Sequence, residues 1–245
     1  MQTWSVGILC YNEAGTLSKV VTDVQGALRQ ITDAFEIVIV DDYSTDGSRE
    51  IALKIQNDTP EVRVVLHDVN KGIGQALRSF YSGAKYQNVG IVPGDGQFDP
   101  REFLPFKELP DDSFVSFYRL ENTSYGVFRN LLSFFNKMLN QVFIGMKLRD
   151  VNWTKIYKKR DLDRLDLQLT SSLVETEVCA KLIALGRRAI ESESRYLPRT
   201  CGTSKGASFP IVIKALREIL TLLLIMRQFK KQLRNNPGLV KIPGR

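Results

Sequence analysis

The first hundred residues alternate short apolar runs with stretches of helical periodicity, and that alternation restricts the fold more than any other feature. Trp4–Cys10 reads as a buried strand, Phe35–Asp41 (FEIVIVD) as a strand rich in β-branched residues, Val62–Leu66 as a third and Val89–Val92 as a short fourth. Ala14–Ile31, Gly47–Asn57 and Gly72–Ala84 between them carry helical patterning. Apolar runs without polar alternation suit strands covered on both faces, and such strand–helix–strand units close with right-handed crossovers. The expected fold is α/β, a doubly wound, mostly parallel sheet.

The second half is less regular. Phe114–Tyr118, Trp153–Tyr157 and Ala189–Tyr196 read as strands, Phe128–Ile144 and Val174–Leu185 as helices, and a helical run after Pro210 extends to about Arg234. This divides the chain into a catalytic domain over 1–210 and a basic amphipathic helix with a loose tail over 211–245. The formal net charge of +7 belongs to the tail. There Lys214, Arg217, Arg227, Lys230, Lys231, Arg234, Lys241 and Arg245 face Glu218 alone, so the body is formally neutral. A nucleic-acid-binding enzyme would spread basic residues along its main groove, so no nucleic-acid partner is expected. Cys10, Cys179 and Cys201 are odd in number and lack CxxC spacing. That argues against a disulfide framework or zinc site and for a reducing, cytoplasmic compartment. No basic-then-apolar leader opens the sequence. The apolar stretch 211–226 is interrupted by Lys214, Arg217 and Glu218 and is shorter than the roughly 20 residues of a spanning helix.

In an open parallel sheet, ligands bind beyond the carboxyl ends of the strands. Acidic residues gather there. Asp41, Asp42, Ser44 and Asp46 follow the second strand in DDYSTDGS; Asp95, Gln97 and Asp99 follow the fourth in PGDGQFDP. Tyr11, Asn12 and Glu13 end the first strand. If the first strand lies between the second and fourth, all three groups share one crevice. Oxygen ligands of this kind suit Mg²⁺ or Mn²⁺, which can bridge a diphosphate and stabilise its departure. Asp46, before Gly47–Ser48, equally reads as a turn and capping residue. No Walker loop is present, and the Gly-x-Gly at 72–74 reads as a helix opening.

On the segments YNE at 11–13, DDYSTDGS at 41–48, NKGIGQALRSF at 70–80, GDGQFDP at 94–100 and RTCGTSK at 199–205, the chain resembles family 2 glycosyltransferases of the GT-A fold. Among them it is similar to dolichyl-phosphate mannose synthases and related polyprenyl-phosphate sugar transferases. The resemblance implies a nucleoside-diphosphate sugar donor. It implies that Glu13 and Asp42 hold the nucleoside, with Tyr11, Asn12, Ser44, Lys71, Gly94 and Ser204 also on the donor side. It implies that Asp95 and Gln97 bind the metal, and that Arg119, Arg129, Arg199, Ser204 and Lys205 lie near donor or acceptor phosphates. Arginine forks match phosphate oxygens and lysine adds a compact charge. Glu177 matches an acidic position of the family on a helix and is a candidate catalytic residue or a salt-bridge partner. One departure stands out. The family's Asp-x-Asp metal motif has Pro93 at its first position here, which leaves Asp95 and Gln97 with diphosphate and water to complete the shell.

Two features favour a polyprenyl phosphate acceptor. A phosphate is already an anionic nucleophile, whereas a sugar hydroxyl needs a general base. The helix beyond Pro210 carries Lys214, Arg217, Glu218 and Thr221 as one polar stripe and then RQFKKQLR at 227–234, so 211–234 can lie in a bilayer interface on the cytoplasmic face. The same helix can instead pack on the catalytic domain. The expected activity is inverting transfer to polyprenyl phosphate. One alternative is transfer to a hydroxyl of a glycan or small molecule, with Asp150 or Glu177 as base. The other, prompted by Pro93, is a catalytically weak nucleotide-sugar-binding protein.

Overall fold

The computed structural model describes residues 1–120, 147–198 and 209–236. Its strands are β1 (Trp4–Cys10), β2 (Phe35–Asp41), β3 (Val62–Leu66), β4 (Asn88–Pro93), β5 (Ser113–Arg119), β6 (Lys155–Lys158) and β7 (Arg188–Ser194). Its α-helices are α1 (Leu17–Leu28), α2 (Ser48–Asp58), α3 (Ile73–Gly83), the short α4 (Lys159–Leu162), α5 (Val174–Ala184) and α6 (Phe209–Asn235). The strands form one seven-stranded sheet in the order β3-β2-β1-β4-β6-β5-β7. β1 pairs in parallel with β2 and β4, so the first strand does lie between the other two. β6 is antiparallel to β4 and β5, while β7 is parallel to β5. The carboxyl ends of every strand except β6 therefore share one edge, and β6 contributes its amino end to that edge.

Strand periodicity explains the two-sided core. In β2, Ile37 and Ile39 point to one face and Val38 and Val40 to the other, all fully buried. The first face packs with α1 and α2 and with a 3₁₀ helix at Pro100–Phe106. The second packs with α3, α5 and α6 through Phe80, Tyr157, Val178 and Leu222. The sequence reading did not anticipate the 3₁₀ helix. Its signal is nevertheless present: Asp99 caps it by accepting from the Arg101 N–H at 3.0 Å, and Pro100 occupies the first turn.

Helix α1 begins three residues later than expected because Glu13–Thr16 forms a turn, with the N–H groups of Thr16 and Leu17 both donating to Glu13 O. The expected helix at Phe128–Ile144 lies outside the described residues.

One face of α6 belongs to the core. Leu222, Ile225 and Met226 are buried, and Ile219, Phe229 and Leu233 pack beside them. Full burial of such side chains contributes about 1.5–3 kcal/mol each. Glu218, a member of the expected polar stripe, faces the domain: it accepts from Thr170 Oγ1 at 3.2 Å and Ser171 N at 3.1 Å. Among the described residues no helix is long and apolar enough to cross a membrane.

Candidate active site

The loops at the carboxyl edge are laced together before any ligand is considered. Asn12 and Tyr43 hold positive φ angles of 58° and 66°, conformations that neighbouring contacts must enforce. Asn12 N donates to Ser44 Oγ at 2.9 Å, and Asn12 Oδ1 accepts from Thr45 N at 2.8 Å. Ser48 Oγ accepts from Glu13 N at 2.8 Å. Asp46 accepts from Ala14 N and from the Ser48 N–H and hydroxyl. Asp46 is thus a turn residue that ties β1 to α2, and Asn12 and Ser44 brace each other. Tyr11 is half-buried in the same loop. Burial and the nearby Asp41 push the Cys10 thiol up to about 12, so this cysteine stays protonated.

Asp42 is buried and nearly saturated. His67 Nδ1 lies 2.7 Å from its Oδ1, and Lys71 N donates to the same oxygen at 2.8 Å. Gly72 N donates to Oδ2 at 2.8 Å. An ionised carboxylate only accepts, so His67 Nδ1 donates to Asp42, while its Nε2 lies 2.9 Å from Ser79 Oγ. The sequence reading missed His67, the chain's single histidine; its place directly after the apolar run of β3 was the available signal. Lys71 reaches outward and pairs with Asp68 at 2.7 Å. Gly72 caps α3, so the Gly-x-Gly opens a helix as expected.

The β4 loop is shaped by glycine. A Cβ on Gly94 would lie 2.7 Å from Leu9 O, and Gly96 adopts φ 73°. Thr16 Oγ1 donates to Gly94 O at 2.7 Å, fastening this loop to α1. Asp95 accepts from Gln97 N at 3.1 Å. Gln97 is also tied to the segment after β7: its Nε2 donates to Leu197 O at 3.3 Å, and Leu197 N donates to Gln97 O at 3.0 Å. Asp99 is committed to Arg101 in a forked pair. Among the described residues no three acids, histidines or cysteines gather as a metal cluster. Asp95 and Gln97 supply one carboxylate and one amide. That sparse oxygen set fits a hard cation completing its shell with diphosphate and water.

At the end of β5, Arg119 Nε donates to Asp150 Oδ2 at 2.8 Å. Its guanidinium carbon lies 4.7 Å from the Trp153 ring centre and 5.6 Å from that of Tyr196. Asp150 Oδ1 accepts from Asn152 N at 3.0 Å. Trp153 and Tyr196, which hold this arginine, were not among the sequence candidates.

Glu177 is elsewhere. Its carboxylate is fully buried on α5, where it pairs with Lys181 at 2.6 Å and accepts from Gln168 N and Leu169 N. It clamps a loop, with both oxygens engaged by these partners. Arg129, Arg199, Ser204 and Lys205 lie outside the described residues.

The fold and this edge together define a GT-A-type glycosyltransferase domain, the class that works on nucleotide sugars. The chain belongs to glycosyl transferase family 2, whose model matches residues 5–164. An undecaprenyl-phosphate 4-deoxy-4-formamido-L-arabinose transferase of Pectobacterium carotovorum is 28% identical over 223 residues, covering 89% of this chain and 67% of that protein. An uncharacterised glycosyltransferase of Nostoc is 34% identical over 105 residues; the match takes in 43% of this chain and only 32% of the Nostoc protein. Among solved structures, glucosyl-3-phosphoglycerate synthase of Mycobacterium tuberculosis with Mn²⁺, UDP-glucose and phosphoglyceric acid has a TM-score of 0.63 at 16% identity, covering 92% of this chain and 79% of that one. S. aureus TarS 1-349 with UDP-GlcNAc has a TM-score of 0.58 at 16% identity, covering 99% and 76%. At such identity these two likenesses bear on the fold.

Proposed function

We propose that this chain transfers a sugar, with inversion, from a uridine-type nucleoside diphosphate to a polyprenyl phosphate. The observation that carries the acceptor assignment is the commitment of both candidate bases. Asp150 is bound to Arg119 and Asn152, and Glu177 is enclosed by Lys181 and two backbone amides. These two carboxylates were the candidates for removing the proton of a hydroxyl acceptor; a phosphate arrives already ionised. The Pectobacterium relative, named for undecaprenyl phosphate, supports the same acceptor class.

Asp42 supports the donor assignment. With Oδ1 taken twice and Oδ2 once, its carboxylate has room for one further N–H. The single imide N–H of uracil suits that vacancy, whereas guanine presents two adjacent donors. Glu13 completes the nucleoside end of the crevice. Asp95 and Gln97 would hold a Mg²⁺ or Mn²⁺ ion, which supplies charge neutralisation for the diphosphate leaving group. Arg119 binds a phosphate oxygen. An acceptor phosphate oxygen attacks C1 of the sugar from the face opposite the diphosphate; the new C1–O bond forms as the old one breaks, and its electron pair leaves on the diphosphate.

The exposed face of α6 supports contact with a lipid surface. Leu220 and Leu224 are 69% and 61% exposed, and Arg227, Lys230, Lys231 and Arg234 follow in solvent. Apolar anchors followed by cations suit an anionic bilayer interface.

A thermal-shift screen of UDP, GDP, CDP and dTDP with Mn²⁺ tests the donor. A ligand of the folded state raises the midpoint. UDP is expected to give the largest rise, and a larger rise with GDP would refute the base assignment. Pro93 motivates the alternative of a catalytically weak binder; UDP binding without sugar transfer or donor hydrolysis would establish it.

A further inference from the structure

Arg119 is held by more than its ion pair. Its guanidinium carbon lies over the Trp153 ring at 4.7 Å and over the Tyr196 ring at 5.6 Å, and these two rings meet edge to face at 5.5 Å. Trp153 is itself pinned. Its Nε1 donates to the buried Ser194 at 2.9 Å, and its ring meets Phe98 at 6.1 Å. The backbone under it is fastened by the buried ammonium of Lys155, which donates to Asp150 O at 3.1 Å and Trp153 O at 2.8 Å. Phe98 adjoins Gln97, which is bonded to Leu197, the neighbour of Tyr196. The β4 acid loop, the cation of β5 and the segment after β7 therefore meet at one indole.

We propose that Trp153 is a positioning residue, which fixes the guanidinium of Arg119 for a phosphate of the donor and locks that cation in register with the Asp95 loop. The inference rests on the assignment of Arg119 to phosphate. The physical reason is the neutrality of the ring. A second carboxylate beside Asp150 would turn the cluster net negative; an aromatic face attracts the cation without adding negative charge against a phosphate. The ring contact and the Asp150 contact together restrict the side chain, so little freedom is lost when phosphate binds. Tyr196 provides the second face.

A double-mutant cycle on UDP binding with Mn²⁺, read by calorimetry, tests this. Arg119→Ala should weaken binding. Trp153→Leu should weaken it roughly five- to tenfold, the worth of one cation–π contact. Trp153→Phe, which keeps a ring, should restore most of the loss. In the Arg119→Ala background Trp153→Leu should cost almost nothing more, because its effect passes through the arginine. The chain holds two tryptophans, and Trp4 is buried against Phe103 at the start of β1, away from the site. UDP should therefore alter the emission of the wild type and not of Trp153→Phe. Wild-type affinity in Trp153→Leu, or an equal loss in both backgrounds, would overturn the positioning role. Wild-type affinity in Arg119→Ala would overturn the phosphate assignment as well, which separates the two failures. Should Trp153→Leu not fold, Tyr196→Leu runs the same cycle from the other ring with the same criteria.

Discussion

With proline at 93, the acid function of the β4 loop is concentrated on Asp95. Asp95→Asn keeps the volume and the Gln97 N–H contact while removing the charge a cation would need. Transfer should fall by roughly two to three orders of magnitude, with the thermal midpoint nearly unchanged; steady-state kinetics beside a melting curve checks both. Glu177 gives the opposite expectation. Glu177→Gln leaves the Lys181 ammonium buried without its counter-charge, at a cost of about 3–5 kcal/mol in stability, while activity per folded molecule persists. Denaturant titration with active-site normalisation distinguishes the two roles. At this scale the strand-end acids were legible because each follows an apolar run, with a glycine-bearing turn beside it. The enclosure of Glu177 was not, because the amides of Gln168 and Leu169 reach it through a loop whose path no periodicity records. Trp153 and Tyr196 were invisible for a similar reason: their contact with Arg119 joins three strands that only the sheet order brings together.

Helices α1, α2, α3, α5 and α6 and the first four strands followed from their own patterning, with ends shifted by a few residues where a turn or cap intervenes. The direction of β6 did not. The Lys155–Lys158 strand is too short to show a period, and its antiparallel pairing is set by the chain returning to the same edge at which β5 ends. The last helix was legible as amphipathic, but not in which face it buries. Glu218 read as part of a polar stripe and serves as a docking contact. Two experiments separate the faces of α6. Leu222→Ala should destabilise the domain by about 2–5 kcal/mol, the usual cost of emptying a buried leucine site, measured by chemical denaturation. Neutralising Arg227, Lys230, Lys231 and Arg234 together should leave stability within about 1 kcal/mol, since exposed charges contribute little. It should abolish co-sedimentation with phosphatidylglycerol liposomes, and salt should mimic that loss in the wild type. A wild-type protein that stays in the supernatant at low salt would remove α6 from the membrane.

Across the whole molecule, the sheet is joined to α3 and α5 by a buried acid. Glu175 accepts from the hydroxyls of Tyr81 and Tyr157, and burial pushes its carboxyl above the usual 4.5. Between that ordinary value and the raised one, the folded protein binds a proton that the unfolded chain has lost. Stability should therefore be full below the window and decline as pH rises through it. Glu175→Gln should flatten this slope in unfolding free energy measured against pH. One sheet with the proposed donor crevice at its carboxyl edge, and with Asp150 and Glu177 both committed among the described residues, leads to a single decisive assay. The protein is incubated with a radiolabelled UDP-sugar and Mn²⁺, and with either undecaprenyl phosphate or undecaprenol, and label is followed into the organic phase. Label entering the phosphate lipid and not the alcohol, with UDP released in equal amount, is the predicted result; label transferred to the alcohol, with the phosphate lipid left untouched, would contradict it.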